Sequence, residues 1–411
     1  MSDLALSPES LAERIMRRDA GRDSRLLAMK YRKMTESLFV FLRGTCQLFY
    51  DALPDYPVLD EAPLAWSCGD LHLENFGSYR GDDRQLCFDI NDFDVATLAP
   101  CTWDPVRLLC SMLCCADSIK ATQDEAREAC RATLAGYRDA LLKGAPLRLE
   151  RKDASGLIAD LLDQLHKRKR SEFLDRHTEG NGAQRRIRID NLKAMSASES
   201  QRAMVTTFMQ AFAAQQSTPE FFGLLDVARR IAGTGSLGVE RYVLLVEGMG
   251  SPDACYLLDL KQARPSALEL PLRRRKLALA ESGNQASRVV TVQKRMQAVS
   301  HAFLEAVMMD DRAFVLRDLQ PEEDRVDIAA WDGKSKRLDQ VARTLGAILG
   351  WDQLRAAGQQ GAASVDRLQA FAEGTAWMDE LLDAAGHMRD VTQHQWQAFK
   401  LARQERLLGN F

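Results

Sequence analysis

From about Val227 the chain reads DVARRIAGTGSLGVERYVLLVEG and then ACYLLDLKQA, two or three runs of valine, leucine and tyrosine separated by glycine turns. Such runs favour extended backbone, so this stretch predicts a small antiparallel sheet. Most of the remaining chain follows helical periodicity. A sheet confined to one stretch of a helical chain predicts the α+β class. At 411 residues the chain exceeds what a single core usually fills, which predicts two or three substructures. Two lobes with a cleft between them suit that size.

From Ser7 to about Asp51 the pattern is helical, with SPES supplying a serine cap and a first-turn glutamate. Within it, SLFVFLRGTCQLFY is apolar nearly all round and predicts a buried helix. A proline-containing connection (Ala52 to Pro63) leads to a stretch in which RQLCFDIND reads as a strand. Trp103 to about Leu142 returns to helix and is closed by Gly144 and Pro146. Residues 147–217 are polar, contain KRKRSEFLDRH and QRRIRID, and read as an insertion with exposed helices. HKRKR there reads as a solvated helix face in preference to a phosphate or nucleic-acid patch. Helix resumes at Asn284 to Met308, FVLRDL is strand-like, and Lys334 to Phe411 is almost wholly helical. The chain therefore divides into 1–146, a helical lobe carrying the motifs below; 147–217, the insertion; 218–325, the sheet; and 326–411, further helices of the large lobe.

A formal net charge of −3 gives no global pull toward nucleic acid or anionic membrane, and neither is expected as a partner. The start is amphipathic without the apolar core of a signal peptide, and no apolar run approaches the ~20 residues that span a bilayer. The expectation is a cytoplasmic protein. Nine cysteines without a paired C-x-x-C arrangement argue against a disulfide framework and a zinc site. Cys110, Cys114 and Cys115, at helical spacing, read as core packing.

Two motifs carry chemistry. The first is CGDLHLENFG at Cys68 to Gly77, followed by FDINDFDVATLAPCTWD at Phe88 to Asp104. Alone, Asp70 and Asp92 could cap turns. Their order matches the kinase resemblance set out below, which implies a transferring phosphoryl group whose charge calls for hard, oxygen-bound magnesium. Asn75 supplies a neutral oxygen and Asp92 an anionic one. The second motif is GTGSLG at Gly233 to Gly238, with Lys261 in a later strand. Glycine lets backbone N–H groups approach phosphate oxygens without a Cβ in the way. A hairpin turn has the same composition, but strand, glycine loop, strand and a lysine within a third strand is a more specific pattern. Lys261 in an apolar strand needs a partner, and nucleotide phosphates would provide one.

An aspartate followed five positions later by an asparagine is the spacing of the kinase catalytic loop. The chain resembles the aminoglycoside phosphotransferase branch of the kinase superfamily, which writes H-G-D-L-H-x-x-N, then I-D-F-D-x-A and a later aspartate. Asp70, His72, Asn75, Asp92, Phe93, Asp94, Ala96 and Asp104 match; Cys68 stands where that family has histidine. The resemblance implies that Asp70 meets the acceptor hydroxyl, Asn75 and Asp92 hold magnesium, Gly233, Gly235, Ser236 and Gly238 cover the phosphates of ATP, and Lys261 orients them. His72 reads as a structural hydrogen-bonder.

The glycine loop follows Asn75 by more than 150 residues, the reverse of the usual order, which implies a circularly permuted, protein-kinase-like two-lobed fold. The sheet near 227–263 should then pack over the Asp70 loop. The helix at Asn284 to Met308 takes the place of the regulatory helix, whose glutamate should meet the lysine. Glu281 and Glu305 lie at its ends, Gln285 and Gln293 are the central polar residues, and none is assigned. The whole chain also looks like the uncharacterised bacterial family named domain of unknown function 2252, through KMTESLFVFLRG, GDLHLENFG, FDINDFD, WDPVRLL, GTGSLG, LDLKQA and RVVTVQKRMQ. Arg43, in FLRG, either reaches the cleft or satisfies helix-end carbonyls.

These readings lead to an ATP- and magnesium-dependent phosphotransferase acting on a hydroxyl of a small-molecule acceptor. The alternative is a pseudokinase or nucleotide-sensing module that signals to a protein partner without phosphoryl transfer, or nucleotidyl transfer on the same fold.

Overall fold

The computed structural model describes residues 6–249, 254–277, 279–280, 283–320 and 324–409. In chain order the elements are α1 (Pro8–Asp19), α2 (Ser24–Met34), α3 (Leu38–Gly44), α4 (Cys46–Asp51), α5 (Pro57–Asp60), β1 (Leu64–Ser67), β2 (Phe76–Arg80), β3 (Leu86–Ile90), β4 (Thr97–Pro100), α6 (Trp103–Cys115) and α7 (Gln123–Lys143). Then come α8 (Gly156–Lys167), α9 (Arg170–His177), β5 (Thr178–Glu179), β6 (Arg186–Ile187), β7 (Ala194–Ser196), α10 (Glu199–Ala213), β8 (Leu224–Arg230), β9 (Arg241–Val246), β10 (Tyr256–Gln262), α11 (Glu269–Arg274) and α12 (Gln285–Met296). The chain ends in β11 (Glu305–Met309), β12 (Arg312–Asp318), α13 (Ser335–Arg355), α14 (Val365–Glu373) and α15 (Ala376–Gln404). The fold is α+β.

The N-terminal helical stretch is four helices rather than one. Ser7, Asp23 and Ser37 each accept an N–H from the first turn that follows (Ser10, Leu26, Val40), and such caps start helices wherever they fall within an apolar pattern. Trp103 to Leu142 likewise divides. Lys120 takes a left-handed φ of 58°, and Thr122 with Glu125 forms a capping box that opens α7.

The expected sheet is larger than its three central strands. It has six, in the order β11-β12-β10-β9-β8-β7, antiparallel throughout. Residues 305–309, expected to end a helix, form its edge strand β11 instead. Helix α12 stops at Met296, where Gln297 turns to extended backbone, and the Glu305–Met309 run then pairs with β12. The opposite edge, β7, comes from the polar 147–217 segment. Side chains alternate across the sheet: Tyr242, Leu244, Leu258 and Leu260 pack with Val205, Met209 and Phe212 of α10, while Val243, Leu245 and Leu257 face the other way. The same alternation places Asp259 and Lys261 on the face away from α10.

Helices α7 and α13 approach backbone to backbone. A Cβ on Gly136 would lie 2.0 Å from the Arg343 carbonyl oxygen, and one on Gly346 would lie 1.9 Å from that of Thr133. Gly346→Ala is therefore expected to force the pair apart and lower stability by roughly 1–3 kcal/mol, read as a lower thermal midpoint by circular dichroism. Gly386→Ala in α15, whose Cβ would meet nothing nearer than 3.6 Å, should leave the midpoint unchanged or raise it. Equal midpoints for wild type and Gly346→Ala would contradict the close crossing.

Candidate functional site

Asp104, fully buried in the first turn of α6, shapes the Asp70 loop by accepting the backbone N–H groups of Cys68 and Gly69, each at 2.9 Å. Burial pushes the Asp104 carboxyl up, and these hydrogen bonds offset only part of that. The Tyr50 hydroxyl donates to the Gly69 carbonyl at 2.6 Å, so Gly69 is held through both its N–H and its carbonyl. Gly69 has φ +84°, and a Cβ there would meet the Val95 carbonyl at 2.8 Å. The Sγ of Cys68 lies 3.6 Å from Asp104, and burial raises its thiol well above the ordinary range. It packs, with backbone amides making the strong contacts.

Asp70 follows. Arg107, one helical turn beyond Asp104 and buried, donates through Nε (3.1 Å) and Nη2 (2.6 Å) to Asp70 Oδ1 and through Nη2 to the Leu42 carbonyl. Its burial would favour the neutral form, but Asp70 beside it holds its pKa above normal. Both bonds fall on Oδ1, which leaves Oδ2 outside the clamp. Asn75 donates Nδ2 to the Asp70 carbonyl at 2.6 Å, so its Oδ1 is the atom free to meet a cation. His72 accepts the Glu74 N–H at Nδ1; burial, with Arg43 and Arg107 nearby, depresses its pKa well below normal and keeps it neutral. That is the structural role expected of it. Glu74 is bound by Arg43 at 2.7 Å and Arg325 at 3.0 Å, so the Arg43 side chain reaches the cleft.

The hairpin β2–β3 delivers Asp92 and Asp94. Lys261 projects from β10 between them, with Nζ 3.9 Å from Asp92 Oδ2 and in direct ion pair with Asp94. Burial pushes Asp92 up, but Lys261 and Arg317 more than offset it and hold Asp92 below the usual carboxylate range. Asp94 is raised, by burial and by the charge of Asp92, with Lys261 compensating only in part. The lysine's partners are thus two aspartates, not a glutamate of the following helix. Glu305 sits in β11 opposite Leu316, Gln285 accepts from Arg288, Gln293 bonds Gln297, and Glu281 lies outside the described residues. What α12 contributes is Arg288, which donates to the carbonyls of Ala96, Asp94 and Arg264 at 2.6–2.9 Å.

The glycine loop closes the site. Gly233 and Gly238 have φ of +68° and +84°, and a Cβ on Gly235 would lie 2.9 Å from the Arg43 carbonyl. The α1–α2 connection braces the loop: Arg22 donates to the carbonyls of Gly235 and Leu237, and the Asp23 N–H to that of Gly238. The Ser236 hydroxyl is spent on the Ala232 carbonyl. Asp70, Asn75, Asp92, Asp94 and residues 233–236 line one cleft of about 110 Å³, rimmed by Arg18, Arg22, Arg43, Arg264 and Arg325. Lys261 lies behind the two aspartates rather than on the wall, and Gly238 shapes the loop without lining the cleft.

A family model, that of an uncharacterized protein conserved in bacteria (DUF2252), matches residues 22–402. The chain belongs to that family. No curated protein and no solved structure matches it. In this DUF2252 chain the matched span contains every site residue named above except Arg18. Among the described residues no helix is long and apolar enough to cross a membrane. Nor, among them, do three or more His, Cys, Asp or Glu side chains gather as a metal cage. Asn75 and Asp92 fit a magnesium ion that arrives with phosphates, since that ion commonly takes one or two protein oxygens and completes its shell with phosphate and water.

Sequence reasoning missed Arg107 and Arg288. The signal for Arg107 was present: a lone charge inside the apolar run WDPVRLLCSMLCC, three residues after Asp104. Because Asp104 holds two otherwise unpaired buried amides, Asp104→Ala is expected to cost about 1–3 kcal/mol for each. The change should show as a lower unfolding midpoint and as lost hydrogen-exchange protection at Cys68 and Gly69. Unchanged protection there would mean that another group holds the loop.

Proposed function

We propose that this cleft belongs to a cytoplasmic, ATP- and magnesium-dependent phosphotransferase that acts on a hydroxyl of a small-molecule acceptor, on a circularly permuted, protein-kinase-like two-lobed fold. One observation carries the reading: Asp70, Asn75, Asp92 and the glycine loop line a single cleft, with Lys261 ion-paired behind it. More than 150 residues separate Asn75 from the loop, and a pair of turn-capping aspartates has no reason to meet a distant lysine.

On this reading Gly233, Gly235 and Ser236 present backbone to the nucleotide phosphates, and Lys261 shares its charge between Asp94, Asp92 and those phosphates. Asn75 Oδ1 and Asp92 hold the magnesium ion, which offsets the negative charge of the transferring group. Asp70, fixed through Oδ1 by Arg107, takes the acceptor's hydroxyl proton at Oδ2 while the acceptor oxygen bonds to the terminal phosphorus and the nucleoside diphosphate leaves. Arg107 is a positioning residue. A nucleotide-sensing module without transfer is the second reading, and the arginine clamp on Asp70 is the observation in its favour, because it commits one oxygen of the carboxylate that transfer needs to Arg107.

Asp70→Asn and Asp92→Asn separate these roles. Asp70→Asn should leave magnesium-ATP affinity nearly unchanged while turnover on a hydroxylated acceptor, found by a metabolite-pool screen for ATP consumption, falls by a factor on the order of 10² to 10⁴. Asp92→Asn should weaken both. In calorimetry, the part of the ATP-binding heat that Asp92→Asn removes should also vanish in chelator, since triphosphate beside Asp70 and Asp92 needs an intervening cation. Wild-type turnover in Asp70→Asn would exclude the assigned role, and an Asp92-dependent heat that persists in chelator would exclude metal ligation.

A further inference from the structure

Four residues of the basic run HKRKR are exposed, as a solvated face requires, and only Arg168 is half-buried. Where α8 meets α9, Arg168, Lys169 and Arg170 of this run form one wall of a second cavity, of about 290 Å³, separate from the cleft just described. The β2–β3 hairpin, the start of β10 and the end of β12 supply its other walls. Arg168 is neutralised there by a two-point ion pair with Asp324, at 2.6 and 2.9 Å. Four other cations line the cavity: Arg80, Arg84, Lys169 and Arg170. Among the described residues none of the four makes an ion pair. Arg170 donates to the Cys255 carbonyl, and Arg84 to the Tyr256 hydroxyl at 2.8 Å. Asp318, which also lines the cavity, is pushed up to about 7 by burial, with Arg170, Arg80 and Arg84 compensating only in part. Near neutral pH it does not fully balance four positive charges.

The cavity also carries flat surfaces. The Arg170 guanidinium lies 3.5 Å over the Tyr256 ring, Phe303 stands edge-on to Tyr256 at 5.6 Å, and Tyr79 stacks on His301 at 5.1 Å and 9°. His301 is 2% exposed. Burial lowers its pKa to about 3, so the ring is neutral. Its Nδ1 lies 3.2 Å from the Ala302 carbonyl, which places the proton on Nδ1, and Nε2 is then a buried acceptor without a partner. An unmet buried acceptor carries a free-energy cost that a ligand donor would relieve.

We propose that this cavity is a second binding site, for a nucleoside monophosphate-class ligand: a planar heterocycle bearing N–H donors and carrying a phosphate. The phosphate answers Arg80, Arg84, Lys169 and Arg170. The ring stacks among Tyr256, Phe303 and the Arg170 guanidinium, an arrangement in which aromatic and cationic planes both contribute. An N–H of the heterocycle meets His301 Nε2. Of the two carboxylates that line the cavity, Asp324 is taken by Arg168 and Asp318 faces the other cations, so binding here is expected without a divalent cation. The site stands independently of the phosphotransferase reading.

The test is calorimetric titration of the full chain with AMP in excess chelator, which suppresses nucleotide binding that depends on Asp92 and magnesium. One site per chain is expected, weakening with added salt. Arg170→Ala, at an exposed position, should weaken it at least tenfold, as should Arg84→Ala combined with Lys169→Ala, while Asp92→Asn leaves it unchanged. Ribose 5-phosphate, which lacks the ring, should bind at least tenfold more weakly than AMP. The absence of AMP binding, binding indifferent to both arginine variants, binding lost in Asp92→Asn, or equal affinity for ribose 5-phosphate would each overturn the proposal. Circular dichroism of each variant, superimposable on wild type, separates lost binding from lost folding.

Discussion

The ion pairs of Lys261 join the two parts of this molecule. An ammonium within an apolar strand cannot remain unpaired, because burying a lone charge costs far more than one strand gains from its neighbours. Arg241, directly across the ladder, is no competitor for the same anion. It is committed to Asp259, which also draws Arg230 at 2.9 Å and Arg317 at 3.6 Å. Lys261 therefore takes its counterions from Asp92 and Asp94, more than 160 residues earlier in the chain. Arg288 fixes the same junction from α12 by drawing three carbonyls together, those of Asp94, Ala96 and Arg264. With these contacts made, the glycine loop and the Asp70 loop face one space.

The two aspartates that meet Lys261 are not equivalent. Asp94 makes the direct ion pair with Lys261, while Asp92 stands 3.9 Å from the ammonium, and both carboxylates line the cleft. A chain that only needed to neutralise a buried lysine would have sufficed with one carboxylate. The arginines at the rim point in the same direction, since Arg22 and Arg43 spend donors on the loop carbonyls and on Glu74 and so hold the loop against the helical part of the chain.

Much of this was legible in the sequence, for physical reasons that also explain the misses. Strands β8 to β10 announced themselves through valine, leucine and tyrosine between glycines whose φ angles are positive. The site aspartates and Asn75 were legible because their spacing is short and local. The strand β11 was not, because a brief apolar run such as EAVMM fits a helix as well as a strand and only its pairing with β12 decides. Arg107 was missed although the reasoning that singled out Lys261, a charge stranded among apolar residues, applied equally to it. Two of the three breaks that divide the N-terminal stretch into four helices came from Asp23 and Ser37, whose capping competes with a continuous periodic pattern; the third falls at Thr45, which leaves helical backbone without a side-chain cap. HKRKR is largely exposed, as a charge run suggests, but the run says nothing about what Arg168 and Arg170 fold against: Asp324 and Tyr256, their partners, lie far along the chain.

The most direct measurement of the central claim is a crystal structure grown with a non-hydrolysable ATP analogue and manganese, with anomalous scattering used to locate the metal. The account predicts one metal peak between Asn75 Oδ1 and the Asp92 carboxylate, with the triphosphate beneath residues 233–236 and within reach of Lys261. A triphosphate bound elsewhere, or bound in the cleft with no metal beside Asp92, would contradict it.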